Sequence, residues 1–328
     1  MALPSQETYR WTKPEWRAEA KRWIRERVAA LGRSIVGPVE QPHVRPWATA
    51  FTIPTNAGRL WFKASIPSLA YEVPLLQVLN GHRPDVVPRI VAADVARGWM
   101  LVEDAGRQVS ELYDGRPPIG AWTAFLGEYA QLQLDVAPFV DDLVACGVPD
   151  RRRDLVGDFF AVVEDDRCVR EPAHAALDDG ELARLRALEP RLRAAAASVR
   201  ALGLPDTIHH DDLHAWNVCV RDGRHRFIDW GDSSLAQPLL SLRVPLVRLD
   251  DTSASAAERV RDAYLEPWTA LCSLRELREA SGAAVLLGEL SGVLKWHVLY
   301  TSLPHDERTG YDDVIQVRLR ALLEVACA

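Results

Sequence analysis

Cysteine is sparse, and none of the five (Cys146, Cys168, Cys219, Cys272, Cys327) belongs to a CxxC pair. That argues against a zinc ribbon and against a disulfide framework. A surplus of positive charge is also missing: Lys+Arg 39 against Asp+Glu 46 gives a formal net charge of −7. Nucleic acid and anionic membranes attract the opposite sign, so neither is an expected partner. No apolar run approaches the roughly 18 residues of a membrane span. The first residues lack the charged start, apolar stretch and small-residue cleavage site of a signal peptide. A cytoplasmic location is the expectation. Repeats, low-complexity tracts and long linkers are absent too.

Lysine and asparagine are scarce in a way that informs. The lysines are Lys13, Lys21, Lys63 and Lys295, and the asparagines are Asn56, Asn80 and Asn217. A heavy arginine excess reflects coding bias more than chemistry. Lys63, standing alone across most of the chain and inside an apolar stretch, is therefore a position where arginine would not serve.

What is present belongs to a globular protein: 328 residues, 48% hydrophobic and 26% charged, enough for one large or two modest domains. Residues 14–31 place Trp16, Ala20, Trp23, Ile24, Val28 and Leu31 near one helical face, with Gly32 as the stop. Two β segments, 49–53 and 59–63, flank the turn-forming stretch 54–58. A helix follows, starting at Ser68 or, because of Pro74, nearer Val73. Another strand pair spans 88–95 and 98–102. Beyond Gly106 the periodicity turns helical: 122–134, 155–163, 181–200 with an interruption near Pro190, then 286–300 and 314–325.

Between residues 209 and 232 the chain reads HHDDLHAWNVCVRDGRHRFIDWGD. His210, Asp212 and Asn217 stand on a loop, a hairpin follows, and Phe227-Ile228 ends in Asp229. Phosphoryl transfer from ATP needs these groups: an Asp to orient a hydroxyl and take its proton, with an Asn and a second Asp to hold magnesium. In this reading Asp212 is the base, Asn217 and Asp229 are the metal ligands, and His210 holds the loop through its backbone. The bland alternatives are a polar surface loop and an Asp capping the Trp230-Gly231-Asp232 turn. Lys63 on its strand would meet the phosphates, steadied by Glu72 nine residues on. The stretch 100–106 would carry adenine on exposed backbone, most simply the Val102 carbonyl and the Asp104 amide, with Glu103 between them.

Taken together these residues resemble the aminoglycoside phosphotransferase and choline kinase family of the protein-kinase-like superfamily. Its signature HGDLHxxN, followed by a strand and an IDW/F segment, compares with His210–Asn217 and Ile228-Asp229-Trp230. The likeness spans roughly residues 40–240. It implies an α+β, bilobal protein-kinase-like fold, with a small β-rich lobe over residues 1–103 and a larger, mainly helical lobe over 104–328. It further implies ATP and Mg²⁺ as cofactors, γ-phosphate transfer to a hydroxyl of a small molecule, and the roles above for Asp212, Asn217, Asp229 and Lys63.

Two departures stand out. Asp211 replaces the usual glycine and is expected to add negative charge beside the base. The loop that should cover the phosphates, residues 45–49, has no glycine, although backbone cradling of phosphate normally exploits one; Thr49 or a neighbouring amide would have to serve. Two other classes compete. A metallohydrolase would use the His209–His214 cluster as metal ligands, but it leaves Asn217, Asp229 and Lys63 idle. A nucleotide-binding pseudokinase would fit the missing glycines but not the full catalytic set. The expected acceptor is an amino-sugar or aminoglycoside-like hydroxyl compound, with a choline-like alcohol, homoserine or a sugar as alternatives. Its pocket could draw on Asp158, Glu164, Asp165 and Asp166, or on Glu266, Trp268, Trp296, His297 and Tyr300.

Overall fold

The computed structural model describes residues 9–249, 253–308 and 310–327. The first amphipathic stretch forms α1 (Pro14–Ala30), burying Ala20, Trp23, Ile24 and Val28. Pro14 takes the first helical position, where a missing N–H costs nothing, and Gly32 at φ +69° ends the run. This helix lies on a five-stranded antiparallel sheet ordered β1 (Glu40–Val44), β2 (Ala48–Thr55), β3 (Gly58–Ser65), β5 (Trp99–Glu103), β4 (Ile90–Asp94). Aromatic edges join the two layers: the Trp23 ring is centred 5.6 Å from Phe62 and 5.8 Å from Trp99.

Between β2 and β3 the turn is tighter than its Pro, Asn and Gly content suggests. Thr55 pairs directly with Gly58, leaving Asn56-Ala57 as the connection. Pro54 stays inside β2 because pairing with β1 has already ended, at Thr52 with Glu40, so no ladder hydrogen bond needs its N–H.

Helix α2 (Glu72–His82) begins at the later of the two expected starts. Pro74 decides this: its ring is tolerated within the first turn and not further in. Ser68 lies in a short 3₁₀ turn, Pro67–Leu69, instead of capping α2.

Past Glu103 the chain is mainly helical. Ile119–Val136, Leu155–Val163, Asp179–Ala187, Glu189–Arg200, Ala254–Leu265, Leu274–Ser302 and Val314–Cys327 are the longer helices. Pro190 sits near the start of Glu189–Arg200, which is why the expected 181–200 helix breaks there. Tyr129, Trp230, Tyr264 and Trp268 are fully buried among them. The long helix Leu274–Ser302 is apolar and long enough by composition to cross a membrane, but 67% of its most apolar window is buried inside the fold.

The motif segment is built from short strands. β6 (Arg107–Gln108) pairs with β8 (Val218–Arg221), which forms a hairpin with β9 (Arg224–Phe227). β7 (Thr207–His209) pairs with β10 (Ser234–Ala236). In the hairpin turn Asp222 and Gly223 both have positive φ, +54° and +75°, the conformation that Asp-Gly favours in a two-residue connection.

Candidate active site

The loop from His210 to Asn217 is fastened at both ends. The His210 amide donates to the Tyr129 hydroxyl at 3.0 Å, and its Nε2 lies 2.9 Å from the Ile228 carbonyl. Burial pushes this imidazole down to about 4, so it is neutral near pH 7. At the other end Asn217 donates through Nδ2 to the Asp212 carbonyl at 2.9 Å and to Asp212 Oδ2 at 3.0 Å. His214 Nε2 stands 3.3 Å from the same oxygen. Burial opposes ionisation of Asp212, but Lys295 and His214 outweigh it and hold the carboxyl well below the usual range.

Asp229 follows β9 in the left-handed region, φ +65° and ψ +61°. That conformation is uncommon for a residue with a side chain, and its surroundings hold it. The Ile228 amide donates to Asn217 O at 3.0 Å. The next amide, Trp230 N–H, donates to Glu72 Oε1 at 2.9 Å. Asn217 and Asp229 thereby sit one residue apart across neighbouring segments, with the Asp229 side chain half exposed.

Lys63 reaches this point from β3. Its ammonium is 2.6 Å from Glu72 Oε1 and 2.5 Å from Asp229 Oδ1. Desolvation works against its charge, yet Asp229 and Glu72 raise its pKa above the ordinary value. Glu72, buried at the start of α2, is raised by desolvation with Lys63 opposing. The Tyr71 hydroxyl donates to the Gly231 carbonyl at 2.5 Å and lies 3.0 Å from Ser233 O. The beginning of α2 therefore grips the segment that carries Asp229.

Asp211 does not turn its charge toward Asp212, as the sequence suggested. Its backbone is left-handed, φ +57°, which is where a glycine is most at ease. The carboxylate turns into the helical lobe and is fully buried between Arg151 and Arg243, both at 3.1 Å, with the Ser291 hydroxyl donating at 2.7 Å. Two guanidinium groups thus neutralise the departure from the signature.

Other expected contacts fall elsewhere. The Thr49 hydroxyl is buried, donates to His43 O at 2.8 Å and accepts from Gln41 Nε2 at 2.9 Å, so it is committed to the β1–β2 hairpin. The Asp104 amide donates to Arg59 O at 3.3 Å and its carbonyl accepts from Arg221 at 2.5 Å. Val102 pairs within the sheet, opposite Trp61 and Ile90. The Glu103 carboxylate accepts from Arg89 at 2.8 Å and Arg33 at 3.2 Å, and these arginines lower its pKa. A cavity of about 260 Å³ lies along this connector, lined by Arg33, Gly58, Arg59, Glu103, Asp104 and Arg221 among others.

Of the residues considered for the acceptor pocket, Trp268 is core, Glu164 pairs with Arg186, and Asp165 caps the helix Asp166–Arg170. Trp296 and Tyr311 meet Trp47 from the β1–β2 loop, with ring centres 5.6 Å and 4.9 Å away. These rings hold the glycine-free loop 45–49 against the helical lobe. The histidines do not form a metal cluster: His209 is buried with Nδ1 2.9 Å from Ser241 Oγ. Among the described residues, Asp165, Cys168 and His297 are the His, Cys, Asp or Glu side chains that lie near enough together to share an ion.

Residues 58–277 match the Phosphotransferase enzyme family. The chain belongs to that family. This phosphotransferase also shares its fold with solved kinases. A choline/ethanolamine kinase family protein from Mesorhizobium loti has 20% identity and TM-score 0.59, over 93% of this chain and 95% of that one. Choline kinase LicA from Streptococcus pneumoniae has 15% identity and TM-score 0.57, over 94% and 100%. The streptomycin–ATP–APH(2″)-IIa ternary complex has 14% identity and TM-score 0.61, over 95% and 96%. No curated protein sequence matches the chain. The phosphotransferase has the α+β, bilobal protein-kinase-like fold expected from its motifs.

Proposed function

We propose that the phosphotransferase moves the γ-phosphate of Mg-ATP to a hydroxyl of an amine-bearing small molecule, with an amino sugar or aminoglycoside as the leading class. The observation that carries this reading is the convergence of Asp212, Asn217, Asp229 and Lys63. Residues 1–103 act as the nucleotide lobe and 104–328 as the catalytic lobe, in the cytoplasm.

The donors suit magnesium. Asn217 commits its amide nitrogen to Asp212, which leaves the carbonyl oxygen for a cation, and Asp229 supplies a half-exposed carboxylate. Hard oxygen donors of this kind, completed by phosphates and water, are what Mg²⁺ takes. When bound, the ion neutralises charge on the phosphates. Lys63 adds its ammonium on the nucleotide side. Asp212 accepts the hydrogen bond of the acceptor hydroxyl, orients it, and takes its proton as the oxygen bonds to the γ-phosphorus, whose bond to the bridging oxygen breaks to release ADP. A carboxylate held this acidic acts mainly by orientation, since it is a poor proton acceptor before the oxygen becomes acidic itself.

A quaternary-amine alcohol is a second reading, favoured by Trp47, Trp296 and Tyr311 meeting at the helix Leu274–Ser302, because aromatic faces attract such cations. An ADP-release screen with Mg-ATP over aminoglycosides, amino sugars, choline-like alcohols, homoserine and nucleosides separates the two. With the acceptor that turns over, Asp212→Asn should lower kcat about 10²–10⁴-fold. Undiminished turnover in that variant would sink the assignment of the base.

A further inference from the structure

The long helix Leu274–Ser302 brings a buried ammonium into the catalytic loop. Lys295 Nζ is 3.0 Å from Asp232 Oδ2, 3.1 Å from the Asp211 carbonyl and 3.9 Å from Asp212 Oδ1, with its side chain 7% exposed. The contact to Asp211 O holds the peptide immediately before the base. Lys295 faces Asp212 Oδ1, whereas His214 and Asn217 meet Oδ2. Three carboxylates, on Asp212, Asp229 and Asp232, crowd this cleft. Lys63 compensates Asp229 and Lys295 compensates the other two.

Arginine could not take this post. Elsewhere in the same buried region the chain uses arginine, with Arg151 and Arg243 on the two oxygens of one carboxylate. At position 295 one cation must meet a peptide carbonyl and two carboxylates lying in different directions. A compact ammonium with three divergent donors does that; a planar fork does not. The next residue, Trp296, packs on Trp47 of the β1–β2 loop. Consecutive residues of one helix thus touch the base and the loop facing it.

We infer that Lys295 is a positioning residue for phosphoryl transfer, fixing the Asp211–Asp212 peptide and the Asp212 carboxylate in the pose that meets the attacking oxygen. This rests on the reading of Asp212 as the base. Lys295 acts through Asp212, so its loss should slow the chemical step and leave nucleotide binding intact.

The test compares wild type, Lys295→Met, Lys295→Arg, Asp212→Asn and the Asp212→Asn/Lys295→Met double variant, each checked for a cooperative melt. Single-turnover hydrolysis of Mg-ATP by water at excess enzyme reports the chemical step. Titration with Mg-AMPPNP reports binding, and crystal structures of the wild type and Lys295→Met with Mg-AMPPNP report the pose. The expected result is at least a 10-fold slower step in Lys295→Met with a Kd within about 3-fold, and a displaced Asp212 carboxylate. Lys295→Arg should remain slow, and the double variant should be no slower than Asp212→Asn alone, because the two residues act as a unit.

A Lys295→Met step within 3-fold of wild type, full recovery in Lys295→Arg, or multiplying effects in the double variant would overturn the inference. If Lys295→Met does not fold, Lys295→Gln, which keeps a donor for Asp211 O, replaces it under the same criteria. Asp212→Asn hydrolysing as fast as wild type removes the base itself. A slow Asp212→Asn beside a fast Lys295→Met removes the role of Lys295 alone. If the wild type releases no phosphate, the kinase reading loses support and the Asp212 pose in the two crystals decides the role of Lys295.

Discussion

Asp211 is the residue at which sequence and structure part most instructively. Read along the chain it is an extra negative charge in a signature that elsewhere has glycine. In three dimensions a left-handed backbone accounts for the usual glycine, and Arg151 and Arg243 account for the aspartate. The two effects can be weighed. Asp211→Gly relieves roughly 1–2 kcal/mol of backbone strain. It also takes the shared carboxylate from two buried guanidinium groups, Arg243 keeping Glu289 and Arg151 keeping Ser291, and breaking a buried pair costs about 3–5 kcal/mol. The variant should therefore be less stable than the parent by denaturant titration. A gain in stability would show that the arginines are not held by this carboxylate. Neighbouring Asp212, Asn217 and Asp229 were legible because their spacing is fixed by one loop and one hairpin. Lys295, Arg151 and Arg243 were not, since they approach from elements far away in sequence, and Asp232 was read only as part of a turn. Lysine scarcity was the available signal for Lys295, and it applies as well to Lys295 as to Lys63.

At the scale of elements, local chemistry set most boundaries. Pro74 fixed the start of α2, Pro190 divided a helical stretch, and Asp222-Gly223 closed the β8–β9 hairpin. The β1–β2 connection is the exception. Its lack of glycine looked like a defect in phosphate binding, with Thr49 as the substitute. The structure instead makes it a short turn, closed by Arg45 N–H to Ala48 O at 2.8 Å and pinned through Trp47 to Trp296 and Tyr311. Aromatic pairs contribute about 0.5–1.5 kcal/mol each beyond the area they bury. Trp47→Ala should thus lower the stability by about 1–3 kcal/mol in urea titration. An unchanged midpoint would mean that the loop is not held by these rings. No sequence periodicity could have paired residue 47 with residues 296 and 311.

For the whole molecule, two buried groups in the catalytic region titrate against each other. The folded state keeps His210 at about 4, below its ordinary value near 6.5. As pH falls from 6.5 to 4 the unfolded chain binds a proton that the folded one refuses, so stability present above 6.5 is lost, by up to roughly 3 kcal/mol. Asp232 has the opposite sign. Burial, with Asp212 and Asp229 assisting, pushes it up to about 6 despite Lys295. Below pH 6 the folded carboxyl binds a proton before the unfolded one does, which stabilises the fold and offsets part of the histidine effect. Asp232→Asn removes the offset. Unfolding free energies at pH 7, 5.5 and 4.5 should fall more steeply in that variant than in the wild type. Parallel curves would show that Asp232 is not the opposing group.

The sequence by itself determined the family, the bilobal order of strands and helices, and the spacing of the candidate site residues between 210 and 229. These are encoded by neighbours: periodicity, turn residues, and donors a few positions apart on one loop. Tertiary structure alone decided what surrounds that chemistry. It turned Asp211 away from Asp212, closed the glycine-free loop with aromatic rings, committed the Asp104 amide to Arg59, and delivered Lys295 to Asp212 across 83 residues of chain. The physical reason is that burial and charge compensation depend on which distant groups share a small volume, and one-dimensional spacing does not carry that information.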